Sequence, residues 1–199
     1  THAYAFGGIE MALNSIQEFL NVPVDYYVEI NMNGLEDLVD AIGGIEITSP
    51  LTFEYEGTSF KAGDTAILQG REALAFARMR YDDPEGDTGR QQRQQLVIKA
   101  IVDKLLSIEG ISNYEAILSS VEMSLRTNLS FENLVDIQKY YSDSITSYEQ
   151  SVIAGEDMYM EDIYYYYVRP EERLRMSNLL RDELGLEQVS LDDLNLSDA

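Results

Sequence analysis

The sequence predicts an α/β fold in which helices pack on both faces of a mixed β-sheet, in α-β-α layers. Its 199 residues are enough for one domain with a substantial buried core. Between residues 25 and 48, apolar residues recur first with the period of a strand, then with that of a helix, then again with that of a strand. No apolar run approaches the roughly eighteen residues of a membrane-spanning helix.

The first half of the chain is expected to alternate helices with strands. Asn33 is the expected N-cap of the second helix, which Gly43 and Gly44 end. The predicted elements are a helix from Gly7–Gly8 to Asn21, a strand over 25–31, a helix over 35–42, a strand over 45–48 and a turn-rich stretch over 50–62 with room for a hairpin.

The second half of the chain is predicted to be mainly helical. Pro170 suits the first position of the last helix, since proline has a helical φ and needs no hydrogen-bond acceptor there. The other elements are helices over 70–78, 89–107, 114–125 and 130–141 and strands over 150–154 and 163–168. The helix over 89–107 is expected to bury Leu96, Val97, Ala100, Ile101 and Leu105. The tyrosine-rich run over 158–167 is expected to be a half-buried strand.

The composition is strongly acidic. Asp and Glu number 36 against 14 Lys and Arg, which gives a formal net charge of −22 at pH 7. Nucleic acid requires a basic surface, so this charge argues against DNA or RNA as a partner. The absence of cysteine excludes disulfides, zinc–thiolate sites and thiol nucleophiles. The single histidine, His2, argues against a hydrolase of the Ser/His/Asp type.

Half of the basic residues lie in one window, residues 71–104, and the first sixty residues contain none. Arginine donates bidentately to phosphate or carboxylate and keeps its charge, so an arginine cluster in an acidic chain indicates an anion-binding site. The alternative is a set of ordinary surface ion pairs, each worth roughly 0–1 kcal/mol. The basic residues of the window are Arg71, Arg78, Arg80, Arg90, Arg93, Lys99 and Lys104.

The spacing within the window favours the anion site. Arg90, Arg93 and Gln94 lie at positions i, i+3 and i+4 and therefore share one stripe of a helix. They occupy its first turns, where the helix dipole opposes cations unless an anion joins them. Arg78 and Arg80 follow the end of the preceding helix, where cations are favoured by the dipole, so a purely structural role stays open for them.

The motifs of this window, in their order, resemble those of the LytR-CpsA-Psr family. They are Ala75–Arg80, Asp82–Arg90 and Gln91–Gln95, preceded by His2–Gly8, Val24–Tyr27, Gly34 with Asp40–Gly44, Lys61–Asp64 and Leu68–Ala73. The match is dense from Thr1 to Ser107 and loose beyond. The resemblance implies that residues 1–188 are part of that family's α/β catalytic domain, lacking its N-terminal strands, and that 189–199 form an acidic tail that frays.

The resemblance also implies an activity. Members of the family transfer anionic glycopolymers, such as wall teichoic acid or capsular polysaccharide, from a polyprenyl pyrophosphate carrier to peptidoglycan. By resemblance, Arg78, Arg80, Arg90 and Gln94 bind the pyrophosphate, with Arg93 in the same block, and Asp87 assists attack by the acceptor hydroxyl. Phosphoryl transfer depends mainly on positioning and charge stabilisation, which agrees with such a residue set.

The family resemblance further implies parts that this sequence does not contain. The family's Mg²⁺ ligands and its membrane anchor lie upstream of the matching motifs, and its members act on the extracellular face of the membrane of mostly Gram-positive bacteria. We therefore expect this chain to be the C-terminal part of a larger protein. Its own acids at 82–87 lack the spacing of an EF-hand calcium loop, and a solvated turn is expected for Asp82 and Glu85.

Other functions remain open at the level of sequence. The chain could bind polyprenyl phosphates without catalysis, hydrolyse the carrier pyrophosphate, or attenuate transcription, the last being the least compatible with its charge. The tyrosine-rich run has an alternative role as the wall of a lipid channel or as a sugar-stacking surface.

Overall fold

The chain divides into two units in a computed structural model that describes residues 2–107, 111–141 and 151–194. One unit combines Thr1–Tyr26 with Tyr148–Ala199, and the other is Tyr27–Ser147. The helices are α1 (His2–Leu20), α2 (Met32–Ala41), α3 (Gly70–Arg78), α4 (Asp87–Leu106), α5 (Ile111–Val121), α6 (Phe131–Tyr141) and α7 (Pro170–Glu183). The strands are β1 (Val28–Ile30), β2 (Ile45–Thr48), β3 (Phe53–Tyr55), β4 (Thr58–Phe60), β5 (Thr65–Leu68), β6 (Leu125–Thr127), β7 (Glu156–Met160) and β8 (Ile163–Tyr167).

Within the part of the chain that is described, the strands form four antiparallel pairs: β1 with β6, β2 with β5, β3 with β4, and β7 with β8. The predicted α/β class, with helices packed on strands, is confirmed. The expected continuous mixed sheet is not seen among these residues, which carry four separate two-stranded sheets in its place.

The core of the unit Tyr27–Ser147 lies between β2, the hairpin β3–β4 and the helices α2, α3 and α4. Ile45 and Ile47 of β2 are buried while Glu46 and Thr48 are exposed, which is the alternation of a strand with one face on a core. Three phenylalanines of the same core, Phe53, Phe60 and Phe76, pack against one another with ring centroids 4.6 to 5.8 Å apart. The core therefore fixes the hairpin against α3.

Helix α3 is held tightly at its beginning. The Glu72 carboxylate accepts a hydrogen bond from the backbone N–H of Gln69 (2.9 Å), and Asp40 of α2 accepts one from that of Gly70 (2.7 Å). A Cβ at Gly70 would lie 2.2 Å from the carbonyl oxygen of Glu36, so only glycine permits this approach of the two helices. The bounds predicted for α3, 70–78, are confirmed.

Several predictions about element bounds and burial are wrong. The N-cap of α2 is Asn31, whose Oδ1 accepts from the backbone N–H of Gly34 (2.9 Å), and Asn33 lies inside the helix. Leu96 of α4 is 37% exposed, whereas Val97 and Ile101 are buried as expected. The strands β5 and β6 were not predicted, and β6 replaces the end of the helix expected over 114–125.

The other unit contains α1, the hairpin β7–β8 and α7. Arg173 of α7 donates to the backbone carbonyls of Phe19 and Glu18 and so satisfies the C-terminal end of α1. The expected strand over 151–154 is absent and the strand lies at β7, while residue 150 is outside the described residues. The strand predicted over 163–168 is confirmed as β8. The tyrosine-rich run over 158–167 is not one half-buried strand, because a turn at Glu161 and Asp162 divides it between β7 and β8 and the side chains of β8 are exposed.

The start of the predicted acidic tail is tied to α7. The side chain of Asn178 accepts from the backbone N–H of Val189 (2.8 Å) and donates to its carbonyl (3.0 Å). Leu191–Asp193 form a short 3₁₀ helix, and Leu194 is buried. Residues 195–199 of the tail lie outside the described residues.

Candidate functional site

The arginine pair Arg78 and Arg80 is turned outward by the residue between them. Helix α3 ends at Arg78, and Met79 has the extended backbone angles φ −54° and ψ 136°. Successive side chains of an extended backbone point to opposite sides, and Met79 is almost completely buried. The side chains of Arg78 and Arg80 are 44% and 53% exposed. An apolar residue between two arginines therefore anchors the segment and presents both guanidinium groups at the surface.

A loop of consecutive turns connects this segment to α4. Its backbone N–H groups bond back along the chain, from Gly86 to the carbonyl of Asp83 (3.0 Å) and from Thr88 to that of Glu85 (3.2 Å). Asp82 and Glu85 are exposed, as expected of a solvated turn. Helix α4 begins at Asp87, where the helix dipole favours a carboxylate.

Asp87 brings Arg80 and Arg90 together. Its Oδ1 lies 3.4 Å from Arg80 Nε and 2.7 Å from Arg90 Nη2. Its Oδ2 accepts a hydrogen bond from Gln91 Nε2 (3.0 Å). One carboxylate therefore bridges the two elements that carry the arginines, and α4 supplies the residue that fixes its orientation.

Arg78 has a different acidic partner. Its Nη1 donates to Glu56 Oε1 at 3.1 Å. Glu56 and Gly57 form the tip of the hairpin β3–β4, with φ of 49° and 80°, as a tight two-residue hairpin turn requires. The hairpin therefore delivers a carboxylate to the arginine at the end of α3.

Gln94 and Arg93 lie one turn further along α4, and the structure separates them. Gln94 is half-buried and shares its face with Arg90, i and i+4. Arg93 is 1% exposed and its guanidinium group is directed into the core. Of the predicted pyrophosphate-binding residues, the exposed Arg78 and Arg80 and the half-buried Arg90 form one group at the surface. Gln94 lies at its edge, and Arg93 lies beneath it.

Arg93 is engaged by three protein groups. Its Nε donates to the carbonyl of Phe76 (3.1 Å), its Nη2 to the carbonyl of Met79, and its Nη1 to the carboxylate of Asp83. Burial by itself raises the pKa of Asp83, but hydrogen bonds from Arg93 and the Glu85 backbone, with the Arg93 charge, outweigh it and hold that pKa below its usual value. The guanidinium carbon lies 5.4 Å from the centroid of the Phe53 ring.

One hydrogen-bond donor of the arginines at the surface is not used by the described residues. Arg90 Nε is buried and has no hydrogen-bond partner among the residues that the structure describes. A ligand oxygen that reached it would satisfy a donor that the protein leaves unused. The arrangement thus offers three guanidinium groups, paired with only two carboxylates, on one surface.

The loop acids form no metal site. Within 2–107, 111–141 and 151–194, no three His, Cys, Asp or Glu side chains are grouped so that they could hold a metal ion. None of the helices in these ranges is long and apolar enough to cross a membrane.

Sequence reasoning missed three residues of this region. Gln91 and Glu56 were not predicted to contact Asp87 and Arg78, although the spacing i, i+4 from Asp87 to Gln91 is a recognisable helical pair. The dipeptide Glu56-Gly57 is a hairpin-turn signal, but nothing local indicates that it faces Arg78. Asp83 was given no role of its own among the loop acids, and its buried contact with Arg93 depends on the fold.

Curated relatives align with most of this chain. The chain is 41% identical over 184 residues to a polyisoprenyl-teichoic acid–peptidoglycan teichoic acid transferase, TagU, of Enterococcus faecalis, and 40% identical to TagU of Bacillus cereus strain AH820. In both cases the alignment covers 92% of this chain and 60% of the relative. The chain thus spans about three fifths of the length of these relatives.

Solved structures have the same fold. A crystal structure of an Enterococcus faecalis protein described as a transcriptional regulator superimposes with a TM-score of 0.87 at 40% identity, over 94% of this chain and 70% of that one. TagU of B. subtilis gives 0.75 at 39% identity, over 95% and 78%. A structure described as TagT bound to LI-WTA gives 0.72 at 28% identity, over 94% and 71%. The model of the LytR_cpsA_psr family matches residues 1–182, and the chain belongs to that family.

Proposed function

We propose that this chain is the carrier-binding part of a transferase that moves an anionic glycopolymer from a polyprenyl pyrophosphate carrier to peptidoglycan. The glycopolymer is of the wall teichoic acid or capsular polysaccharide type. The observation that carries the proposal is the surface group of Arg78, Arg80 and Arg90, in which Asp87 joins Arg80 to Arg90 and Glu56 pairs with Arg78. The names of the curated relatives, teichoic acid transferases of Enterococcus and Bacillus, support the same reaction.

Energetics favour exchange of the internal acids for a pyrophosphate. The pairs Arg78–Glu56 and Arg80–Asp87 are well exposed, and exposed ion pairs are worth only roughly 0–1 kcal/mol each. A pyrophosphate offers several anionic oxygens at once and accepts bidentately from planar guanidinium groups. Arg78, Arg80 and Arg90 would bind it, with the unused Nε of Arg90 as an additional donor and Gln94 at the edge.

Asp87 has the capacity to assist the acceptor. An ionised carboxylate offers about four lone-pair sites. Without ligand, Asp87 uses them towards Arg80, Arg90 and Gln91, which leaves a site on Oδ2 for a hydroxyl group. Transfer of Arg80 to the pyrophosphate would free a further site on Oδ1. In the proposed step, the acceptor oxygen bonds to the polymer-linked phosphorus and the bond from that phosphorus to the bridging oxygen breaks. Polyprenyl phosphate leaves, and the hydroxyl proton passes to Asp87.

The remaining partners follow from the family resemblance. Mg²⁺ would supply further charge compensation, but the described residues offer no metal-binding group, so its ligands are proposed to lie elsewhere and no step here depends on the ion. The transferase would act at the extracellular face of the cell membrane, as a membrane-anchored protein. Nucleic acid is not a proposed partner, because the net charge of −22 opposes it.

The test is binding of farnesyl pyrophosphate, a short polyprenyl pyrophosphate, by calorimetry with and without Mg²⁺. Arg78→Ala and Arg80→Ala should each weaken binding at least tenfold, as loss of a charge-assisted bidentate contact predicts, roughly 1.5–3 kcal/mol. Their Tm values should stay near that of the wild type, since both side chains are exposed. Arg71→Ala is the matched control, because Arg71 is an exposed arginine at the other end of α3. Wild-type affinity in both site variants would contradict the proposal.

A carrier pyrophosphatase is the competing activity at the same site. Water in place of the acceptor hydroxyl would release polymer phosphate and polyprenyl phosphate. Incubation of the pyrophosphate-linked substrate without an acceptor separates the two functions, because a transferase releases little phosphate until peptidoglycan fragments are added. Rapid phosphate release without an acceptor would favour the hydrolase.

A further inference from the structure

Arg93 lies where α3, the site loop and α4 meet. Its three donor contacts reach the last turn of α3 through Phe76, the turning point of the arginine segment through Met79, and the loop through Asp83. The carbonyl of Phe76 belongs to the end of a helix, where intrahelical donors run out. Met79 separates Arg78 from Arg80. One buried guanidinium group therefore fixes the backbone on which both exposed arginines depend.

Asp83 completes the same contact from the loop. Its Oδ1 accepts from the backbone N–H of Glu85 (2.7 Å) while its Oδ2 accepts from Arg93, and its side chain is only 6% exposed. The carboxylate also packs against Gly89 of α4, where an added Cβ would lie 2.0 Å from Asp83 Oδ2. The loop that leads to Asp87 is thus bound to α4 at Gly89 and Arg93, both of which lie beyond Asp87 in the chain.

We propose that Arg93 and Asp83 are positioning residues, which hold the segment Arg78–Arg80 at a fixed separation from Asp87 and Arg90 so that the guanidinium groups are ready for one pyrophosphate. This inference rests on the proposed function. It also gives Arg93 a role distinct from pyrophosphate binding, because its donors face protein groups. We name the two residues the buried clasp.

Stability alone gives no reason for a charged pair at this place. Buried ion pairs repay their desolvation poorly, and apolar residues of similar volume often serve equally well. An apolar side chain could not bond two carbonyls and a carboxylate at once, and the single ammonium group of lysine lacks the planar fork that reaches in three directions. The chemistry at position 93 is therefore matched to holding three backbone segments in one geometry.

The clasp itself is tested by amide hydrogen exchange over residues 79–86 without ligand. Arg93→Lys and Asp83→Asn should accelerate exchange there by about tenfold. With fewer hydrogen bonds between the clasp residues, local opening of this segment costs less free energy. Ile101→Val is the matched control, since it removes a methylene group from the same buried face of α4 and leaves the clasp intact. Unchanged exchange in both clasp variants would show that Arg93 does not hold the segment.

The positioning role is tested by the affinity for farnesyl pyrophosphate, measured well below the Tm of every variant. Arg93→Lys should raise Kd about tenfold, because the exposed arginines lose their preorganisation, while Ile101→Val should not. Gly89→Ala, which displaces Asp83 without changing any charge, should act in the same direction, with the exposed neighbour Thr88→Ala as its control. Faster exchange with wild-type Kd would reduce the clasp to a purely structural contact and overturn the inference.

Failure of the proposed function would give different binding results from failure of the positioning role. If the wild type and Arg80→Ala alike fail to bind farnesyl pyrophosphate, the carrier site is absent and the positioning role falls with it. The exchange data would still decide whether Arg93 holds the segment. If the wild type binds and Arg80→Ala does not, the site is established, and the Kd of Arg93→Lys alone decides the inference.

Discussion

Arg78 and Glu56 illustrate how an arginine of the site is paired with a weak internal partner. The arginine and the hairpin carboxylate are both well exposed, so their pair contributes little to folding. Glu56 adopts a positive φ, which glycine or asparagine would adopt more easily. A residue that is unfavourable for its turn and weak as an ion-pair partner is suited to release Arg78 when a stronger anion arrives.

We therefore expect Glu56→Gln to bind farnesyl pyrophosphate more tightly, by roughly two- to fivefold. The ligand would no longer have to break the Arg78–Glu56 ion pair, which stabilises the unliganded site by at most about 1 kcal/mol. Calorimetry measures the change. Glu54→Gln is the control, since Glu54 is an exposed acid of the same hairpin and its loss changes the net charge equally. Equal gains in both variants would assign the effect to net charge rather than to competition at Arg78.

The sequence could identify the arginines of the site but could not show that Arg93 is buried. Positions 90, 93 and 94 share a helical stripe, but the buried face of α4 runs along Gly89, Arg93, Val97 and Ile101. Arg93 therefore lies in the core, while Arg90 and Gln94 lie half-buried beside that face. An arginine in such a stripe is ordinarily expected at the surface, because burying its charge is costly without partners. Its partners here are two backbone carbonyls and Asp83, which only the fold brings together.

At the scale of elements, the accuracy of prediction follows the locality of the signals. Helix α3 has its capping residue, its apolar run and its terminal arginine within ten residues, and its bounds were predicted correctly. Strand β5 was missed because three of its four residues are exposed, so no alternation marks it. Strand β6 has three residues and is defined by pairing with β1, about a hundred positions away.

The carboxylate of Glu172, in the first turn of α7, accepts several hydrogen bonds. Glu172 accepts from the backbone N–H of Ala154 (2.9 Å) and from Arg175 Nε and Nη2 (both 2.7 Å). The hydrogen bond from Arg175, then that from Ala154, lowers the pKa of Glu172 from 4.5 to about 2. A depressed carboxyl pKa stabilises the folded state fully above the unfolded value, and this stabilisation is lost as the pH falls through the folded value.

We accordingly expect Tm of the wild type to fall more steeply between pH 4.5 and pH 2 than that of Glu172→Gln, which has no such proton to bind. Thermal unfolding followed by circular dichroism measures both curves. Glu171→Gln is the control, because Glu171 lies in the same first turn and is exposed. Parallel curves for wild type and Glu172→Gln across this range would contradict the assigned pKa.

At the scale of the whole molecule, the site is a small cationic group on a strongly anionic protein. The formal net charge is −22 at pH 7, while three of the 14 basic residues, the exposed Arg78 and Arg80 and the half-buried Arg90, form the site. Such a charge repels polyanions from most of the surface and leaves the arginines as a local exception. It also opposes the folded state through repulsion among the acids.

Salt should therefore stabilise this protein. Raising NaCl from 0.01 M to 1 M shortens the Debye length from about 30 Å to about 3 Å and screens repulsion among the acids. The same screening weakens the described ion pairs, but most of these are exposed and contribute little to stability. Because the loss of repulsion among the acids is the larger effect, Tm at pH 7 should rise by several degrees. Near pH 4.1, the sequence pI, net repulsion is small and the rise should largely disappear. A Tm that falls with salt at pH 7 would mean that local ion pairs outweigh the global charge.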